Sequence, residues 1–414
     1  MHYFEYRGGE LYCEQVPLQK IASEVGSPAY IYSEATLSRH VRVFDEAFHS
    51  VPHLICYAVK ANSNINILRR FAQWGTGFDI VSGGELFRVL RAGASAGRVI
   101  FAGVGKTPDE IRYALNAGIL FFNVESSTEL ELIHKIASDA GRRAPISIRA
   151  NPDVDPRTHP YISTGMQKHK FGISLPEARE LYRNARNLSN LDVVGIQCHL
   201  GSQITDMGPF EEALASLRQF IMELKSDGVG LKYLDFGGGL GISYNNEQPP
   251  SPAVYGDAVA GATRDLGLTI VLEPGRVIVG NAGILLTRVL LRKNQGPKKF
   301  LVVDAGMNDL IRPALYGSHH QIWPVVERAG KETVDVVGPV CESADFLAKD
   351  RELAVLEPGE LLAVMSAGAY GFSLSSNYNS RPRVPEVLVS GNTYRVIRAR
   401  ETYEDLVRLE EIKT

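Results

Sequence analysis

The chain has only four cysteines in 414 residues, Cys13, Cys56, Cys198 and Cys341, and they lie far apart. None forms a C-x-x-C pair. That argues against a disulfide framework and against a zinc site, so no metal is expected and a reducing cytoplasm fits. No apolar run approaches the length of a membrane span. The net charge is only −3, which leaves no electrostatic case for nucleic acid or for an anionic membrane. Fixed-period repeats and low-complexity tracts are absent. The opening residues Met1-His2-Tyr3-Phe4-Glu5 are polar and acidic and do not read as a signal peptide. What remains is an ordinary soluble composition, long enough for two or three domains with a sizeable core.

From about residue 35 to about residue 275, short apolar runs alternate with amphipathic segments. Strands are expected over 54–59, 77–81, 98–102, 120–124, 145–150, 192–199, 233–236 and 268–272. Helical patterns lie between them, over 84–92, 108–117, 127–140, 175–187, 208–227 and 251–266. Thr107-Pro108-Asp109-Glu110 is a helix start, with a capping hydroxyl, proline at the first helical position and acids in the first turn. Eight such βα units match a (β/α)8 TIM barrel in number and length. A doubly wound open sheet is the structural alternative. Beyond residue 280 the runs 284–291, 299–304, 334–340, 361–366 and 384–389 are short, β-rich and separated by turn residues. Helical periods return only over 401–409. The expectation is an α/β chain with a barrel over 30–278 and a mostly β domain formed by 1–29 and 279–414. The aperiodic stretch 151–170, with Pro152, Pro156, Pro160, Gly165, Lys168, His169 and Lys170, reads as a lid.

In a barrel of this kind, residues at strand C-termini face the active-site mouth. Leu54-Ile55-Cys56-Tyr57-Ala58-Val59 is apolar on both faces and ends in Lys60. A lysine there costs free energy unless it stays near water or has a partner, and desolvation frees an amine as a nucleophile. Alone, it is equally a lysine snorkelling at a strand end. The other strand ends carry Phe78-Asp79-Ile80-Val81-Ser82-Gly83-Gly84-Glu85, Arg149-Ala150-Asn151-Pro152, Cys198-His199-Leu200-Gly201-Ser202-Gln203, Asp235-Phe236-Gly237-Gly238-Gly239-Leu240-Gly241 and Glu273-Pro274-Gly275-Arg276. Backbone N–H groups in a glycine run can wrap an anion, and a following helix N-terminus adds its dipole. Gly275-Arg276 on the next strand completes such a cradle. A lysine, a phosphate loop and a carboxylate together suggest pyridoxal 5'-phosphate. Lys60 is then the Schiff-base lysine. Glu273 keeps the pyridine nitrogen protonated and maximises the ring's capacity as an electron sink, as decarboxylation requires. A racemase gains from a cation at that nitrogen instead. His199 is placed to stack on the ring face.

Taken in order and spacing from about residue 25 to about residue 390, these motifs resemble those of the fold-type III pyridoxal phosphate decarboxylases, which share the alanine racemase-like fold. Within that family the chain looks most like the members acting on meso-2,6-diaminopimelate. The resemblance extends to Asp304-Ala305-Gly306-Met307-Asn308-Asp309-Leu310-Ile311-Arg312-Pro313-Ala314-Leu315-Tyr316, to Gly338-Pro339-Val340-Cys341-Glu342-Ser343-Ala344-Asp345 and to Gly368-Ala369-Tyr370-Gly371. It implies decarboxylation of meso-2,6-diaminopimelate to L-lysine, the last step of lysine biosynthesis. It also implies that Lys60, Asp79, His199, Ser202, Gly238, Gly239, Glu273, Gly275, Arg276 and Tyr370 hold the cofactor. Arg276, Arg312, Tyr316, Glu342 and Tyr370 would hold the substrate, with Cys341 as proton donor beside Lys60 and His199. A homodimer with shared active sites is likewise implied.

The chemistry of the substrate agrees. Its distal end bears a carboxylate and an ammonium. Arginines clamp the first in a bidentate way, and Glu342 accepts from the second. A relative acting on ornithine, arginine or carboxynorspermidine remains the alternative, although such an enzyme has less need of Arg312. A homologue that has lost catalysis is the reading outside enzymology. His319 and His320 have no role on this reading.

Overall fold

The structure is a computed structural model, and it describes residues 2–156 and 170–410. The chain divides into two compact units. One lies within Val41–Ile242 and Gln248–Val277, the other within Met1–His40, Ser243–Glu247 and Ile278–Thr414. The lid reading of 151–170, with Lys168 and His169, falls mostly outside the described residues.

The first unit is built on eight parallel strands: β1 (His53–Ala58), β2 (Gly77–Ile80), β3 (Val99–Phe101), β4 (Phe121–Val124), β5 (Ala144–Asn151), β6 (Leu191–Gln197), β7 (Tyr233–Asp235) and β8 (Thr269–Leu272). Each pairs with the next, and β8 pairs back onto β1 through Ile270–His53, Val271–Leu54 and Leu272–Ile55. The sheet therefore closes into the expected TIM barrel rather than opening as a doubly wound sheet. In β1, five consecutive residues are buried. A strand with side chains on one face and helices on the other has no wet face, so alternation disappears from its sequence. β1 stops at Ala58, one residue before the expected end, because Val59–Ala61 tightens into a single 3₁₀ turn. That turn carries Lys60 off the strand.

The helices bury one stripe each; Ile65–Gln73 buries Ile67, Leu68 and Phe71. Their starts are fixed by side chains. Asn64, Ser82 and Ser126 accept from the backbone N–H groups of Asn66, Glu85 and Glu129 at 3.0–3.2 Å. Thr107 and Glu110 form a reciprocal capping box, with Pro108 at the first helical position. Each cap contributes about 1 kcal/mol and pins the loop leading from a strand's C-terminus into the next helix. Leu54, Cys56, Ile100, Phe121, Val194 and Val271 pack together low in the barrel. The buried polar residues Asp79, Asn123, Gln197, Asp235 and Glu273 come later along the same strands, so polarity collects at one end.

The second unit is mostly β. Its main sheet runs Phe346–Leu353, Glu332–Val337, Lys298–Val303, Gly283–Gln295, Ala29–Ser33, Glu386–Ser390 and Thr393–Arg398. Gly283–Gln295 organises it. Its first half pairs with Ala29–Ser33 and with Leu361–Val364; from Val289 onward it pairs with Lys298–Val303, with a register shift between Val289 and Leu291. Its core includes Phe4, Leu11, Ile31, Ile284, Leu286, Val325, Ala363, Val387 and Val389. Two strands of the main sheet were not expected. Phe346–Leu353 is interrupted by Lys349, Asp350 and Arg351, and Thr393–Arg398 has no buried position, so neither shows an apolar run. Gly283–Gln295 outruns its expected end at 291 because its polar tail, Arg292-Lys293-Asn294-Gln295, shows no apolar run yet pairs in the ladder with Lys298–Val303. The last helix is shorter than expected, Tyr403–Val407.

Candidate active site

In the barrel unit the polar ends of the strands meet. The Lys60 ammonium stands 2.6 Å from Asp79 Oδ2. Asp79 is fully buried, while about a third of the Lys60 side chain is exposed. The lysine thus sits at the wet margin of the barrel with its charge answered from inside. Asp79 Oδ1 is buried and has no hydrogen-bond partner among the described residues.

The glycine run after β7 is shaped by what it touches. Gly237 N–H donates to Asp235 Oδ1 at 3.0 Å, and Gly238 N–H donates to His199 Nδ1 at 3.1 Å. A Cβ on Gly238 would lie 2.3 Å from the Glu273 carbonyl oxygen; one on Gly239 (φ +106°) would lie 2.8 Å from the Gly201 carbonyl oxygen. Only glycine lets the three loops approach this closely. The loop after β6 is pinned to the run through Ile204 N–H to Gly239 O and Gly241 N–H to Ile204 O, both 2.9 Å. Arg276 Nη2 donates to Ser202 Oγ at 2.9 Å. Gly275 packs on Ala58 and Ala61, which brings the loop after β8 against the Lys60 turn.

His199 accepts through Nδ1, so its ring proton is on Nε2. Burial pushes its pKa well down, and the positive charges of Arg149 and Lys60 push the same way. The imidazole is neutral. Its 3.9 Å approach to Glu273 Oε2 is therefore not an ion pair.

Glu273 is deeply buried and takes a hydrogen bond from Gln197 Nε2 at 3.3 Å. Its carboxyl also pairs with that of Asp235 by a hydrogen bond. Asn123 Nδ2 holds the other side of Asp235 at 2.9 Å. Burial is the main reason that Asp235 titrates up near about 7. Burial also raises Glu273 well above the carboxylate range, and the charges of Asp235 and Asp79 add to it. Two carboxyls this close share a proton at neutral pH. Glu85 is another carboxyl pushed up to about 7 by burial, although the Val81 N–H donates to it at 2.7 Å.

The remaining sequence-derived site residues lie in the β unit, where two groups of neighbours hold them. Arg312 is buried at the start of the helix Arg312–Tyr316. Its Nη1 meets His320 Nε2 at 3.0 Å, its Nη2 donates to Ser318 Oγ at 3.2 Å, and the guanidinium lies 4.6 Å over the Tyr244 ring. It is not a surface salt bridge. Tyr316 is half-buried. The acid motif is fastened by Asp345, whose carboxylate accepts from the N–H groups of Met307 and Val340 at 2.6 Å each. Cys341 and Glu342 are exposed. The Cys341 N–H donates to Asn379 Oδ1 at 2.7 Å, and the Tyr378 hydroxyl donates to Glu342 Oε2 at 3.3 Å. Tyr370 is half-buried and holds a left-handed backbone, φ 55°.

Sequence reasoning did not single out Asp235, Gln197 and Asn123. Their signal was a polar residue late in a strand otherwise buried on both faces. Among the described residues there is no cluster of three or more acidic, histidine or cysteine side chains able to hold a metal ion. No described helix is long and apolar enough to cross a membrane.

The barrel residues fit pyridoxal phosphate. A lysine stands at the mouth, the glycine cradle has no room for a single Cβ, and a buried carboxyl lies where only a cationic partner could stabilise its charged form. Residues 34–280 match a family model described as the pyridoxal-binding domain of pyridoxal-dependent decarboxylases. The chain is 52% identical over 415 residues to diaminopimelate decarboxylase of Vibrio cholerae, covering 100% of this chain and 99% of that one. It is 49% identical to the Aquifex aeolicus protein of the same name, over 98% of this chain and 96% of that one. The crystal structure of diaminopimelate decarboxylase from Helicobacter pylori complexed with L-lysine superposes with a TM-score of 0.93 at 44% identity, covering 95% of this chain and 99% of that chain. Cradle, lysine and matches agree: this chain belongs to the pyridoxal-dependent decarboxylases, in the diaminopimelate decarboxylase family.

Proposed function

We propose that this chain converts meso-2,6-diaminopimelate to L-lysine and carbon dioxide, the last step of lysine biosynthesis. The observation that carries the reading is the Lys60–Asp79 pair, whose charge reaches the buried Glu273 carboxyl. When bound, pyridoxal phosphate supplies the electron sink that takes up the pair left behind as carbon dioxide departs. Lys60 Nζ would hold the cofactor aldehyde. Glu273, fixed by Gln197 and Asp235, would face the ring nitrogen. His199, tied to Gly238, would pack on the ring. Ser202, Gly238, Gly239, Gly275, Arg276 and Tyr370 would hold the phosphate end.

On the substrate side, Arg276, Tyr316 and Tyr370 would orient the molecule. Arg312 would take the distal carboxylate and Glu342 the distal ammonium. Cys341 Sγ would return a proton to Cα, since a thiol is mostly protonated at neutral pH. A carboxyl at Glu273, rather than a cation, disfavours racemisation. Arg312 disfavours ornithine, arginine and carboxynorspermidine as substrates.

The working enzyme in this reading is a cytoplasmic homodimer with shared sites. Cys13, Cys56 and Cys198 are buried free thiols, which suits a reducing compartment. The test combines the chain with pyridoxal phosphate and each candidate substrate, following gas and product by mass. Faster turnover of ornithine, arginine or carboxynorspermidine than of diaminopimelate would reject the substrate assignment. Mixing Lys60→Ala with Cys341→Ala protein should restore part of the activity, and no recovery would count against shared sites.

A further inference from the structure

We infer that His320 is a positioning residue for substrate recognition: it locks the Arg312 guanidinium in the direction from which the distal carboxylate is bound. The inference rests on the reading that Arg312 takes that carboxylate.

The geometry of the pair is specific. His320 is fully buried, and its Nε2 lies 3.0 Å from Arg312 Nη1. A guanidinium has only donors, so Nε2 must be the acceptor and the ring proton must be on Nδ1. Nδ1 lies 2.8 Å from the Met365 carbonyl oxygen, which accepts that proton. Both ring nitrogens are therefore committed, and they fix one tautomer and one ring orientation.

The ring is also held from outside the pair. Arg351 Nη1 donates to the His320 carbonyl oxygen at 2.7 Å, and its Nη2 lies 3.1 Å from His319 Nδ1. Tyr244 packs its edge against the His320 ring, 5.3 Å between centroids, while its face receives the Arg312 guanidinium. Arg312 thus touches an imidazole nitrogen, the Ser318 hydroxyl and a tyrosine face. These three contacts are all to uncharged groups. They set the direction of the guanidinium. A flexible arginine loses rotamer freedom when it binds, and a pre-aimed one has already lost it. The two histidines thereby acquire separate tasks: His319 helps Arg351 anchor the segment, and His320 aims Arg312.

A histidine that merely fills the core makes a different prediction from one that aims Arg312. The reacting centre of the substrate is its D centre, so L-lysine bound through its ε-amine keeps the distal carboxylate, whereas D-lysine bound through its α-amine presents only an amine there. Inhibition of the holoenzyme by each therefore reads the clamp separately from the fold. In His320→Leu, of similar bulk but without an acceptor, the inhibition constant of L-lysine and the KM for diaminopimelate should rise about tenfold or more. The inhibition constant of D-lysine should change less than about twofold. In His320→Gln, which returns a carbonyl acceptor near the Nε2 position, L-lysine binding should recover to within about threefold of wild type. Equal weakening of both lysines, or no weakening, overturns the inference. So does a glutamine variant no better than leucine. Should the leucine variant fail to fold, His320→Asn against His320→Gln makes the same comparison, with the acceptor withdrawn rather than deleted. Arg312→Ala separates the two levels of argument. If it does not selectively weaken L-lysine, the clamp reading falls; if it does and His320→Leu does not, only the positioning role falls.

Discussion

The barrel unit and the β unit prepare their functional groups by opposite means. In the barrel, Asp79, Asp235 and Glu273 are buried almost completely, and for Asp235 and Glu273 desolvation sets the chemistry. Side chains there answer one another: Lys60 answers Asp79, Asn123 answers Asp235, and Gln197 answers Glu273. In the β unit, Cys341 and Glu342 are exposed, and what holds them is a few hydrogen bonds from Asn379, Tyr378 and the Asp345 turn. The difference teaches where each kind of group can be tuned. On the proposed roles, the carboxyl facing the ring nitrogen would be tuned by removing water, and the thiol returning the proton by direction. Arg312 combines the two, being buried like the barrel groups and, on the inference above, aimed by His320, Ser318 and Tyr244.

The strongest way to break this contrast is at Lys60. The Lys60→Ala protein should lose the visible absorbance of lysine-bound cofactor, and its turnover should fall to background. Retained turnover would mean that Lys60 is not the attachment point, and the barrel would then be a scaffold rather than the chemical centre.

A sharper test asks whether desolvation really governs the barrel carboxyls. Asp235 titrates near about 7 in the folded chain, whereas an unfolded aspartate titrates near about 3.9. Its folded pKa is raised, so the folded state holds a proton over that interval that the unfolded state has lost. The contribution to stability is complete below about pH 4, and it fades as pH rises through about 7, by an order of a few kcal/mol. Asp235→Asn removes it. Without cofactor, the urea midpoint of wild type minus that of the variant should therefore fall between about pH 4 and pH 7 and level off above that. Glu85 titrates in the same interval but is common to both proteins and cancels. A difference that stays flat with pH would show that the Asp235–Glu273 pair does not titrate there. With cofactor present, kcat should drop about tenfold as Glu273 loses its partner.

That pair also marks how far the sequence could be read. Lys60, the Gly237–Gly241 run and Glu273-Pro274-Gly275-Arg276 were legible because each sits at the end of an apolar run, and strand ends in a barrel converge by construction. The partnership of Asp235 with Glu273 was not, nor was that of Asn123 with Asp235, 112 residues apart. Those contacts exist only once the strands are paired and the barrel is assembled, and nothing local in either strand announces them. In the β unit the limit is different. Phe346–Leu353 is held by its ladder with Glu332–Val337 while charged side chains occupy its middle, so its sequence carries no strand period. His320 was visible as a residue but not as a contact, since its meaning depends on Met365, 45 positions away.

The smallest expected effect is at Asn379, and it probes the β unit's side of the contrast. Asn379 and Ser380 both hold left-handed backbones, φ 55° and 52°. Asparagine tolerates that conformation better than most residues, and glycine tolerates it without strain. Asn379→Gly therefore keeps the turn and deletes the side-chain amide whose carbonyl oxygen accepts from the Cys341 N–H. One neutral hydrogen bond contributes about 1 kcal/mol. If direction is what prepares Cys341, its loss should lower kcat about threefold to tenfold with KM nearly unchanged, because the thiol acts after the substrate is bound. The barrel should not notice: cofactor absorbance and the pH dependence of stability should match wild type. A variant that loses cofactor, or that shifts KM alone, would show that Asn379 holds the β unit together in general, and that the exposed groups are not aimed one at a time.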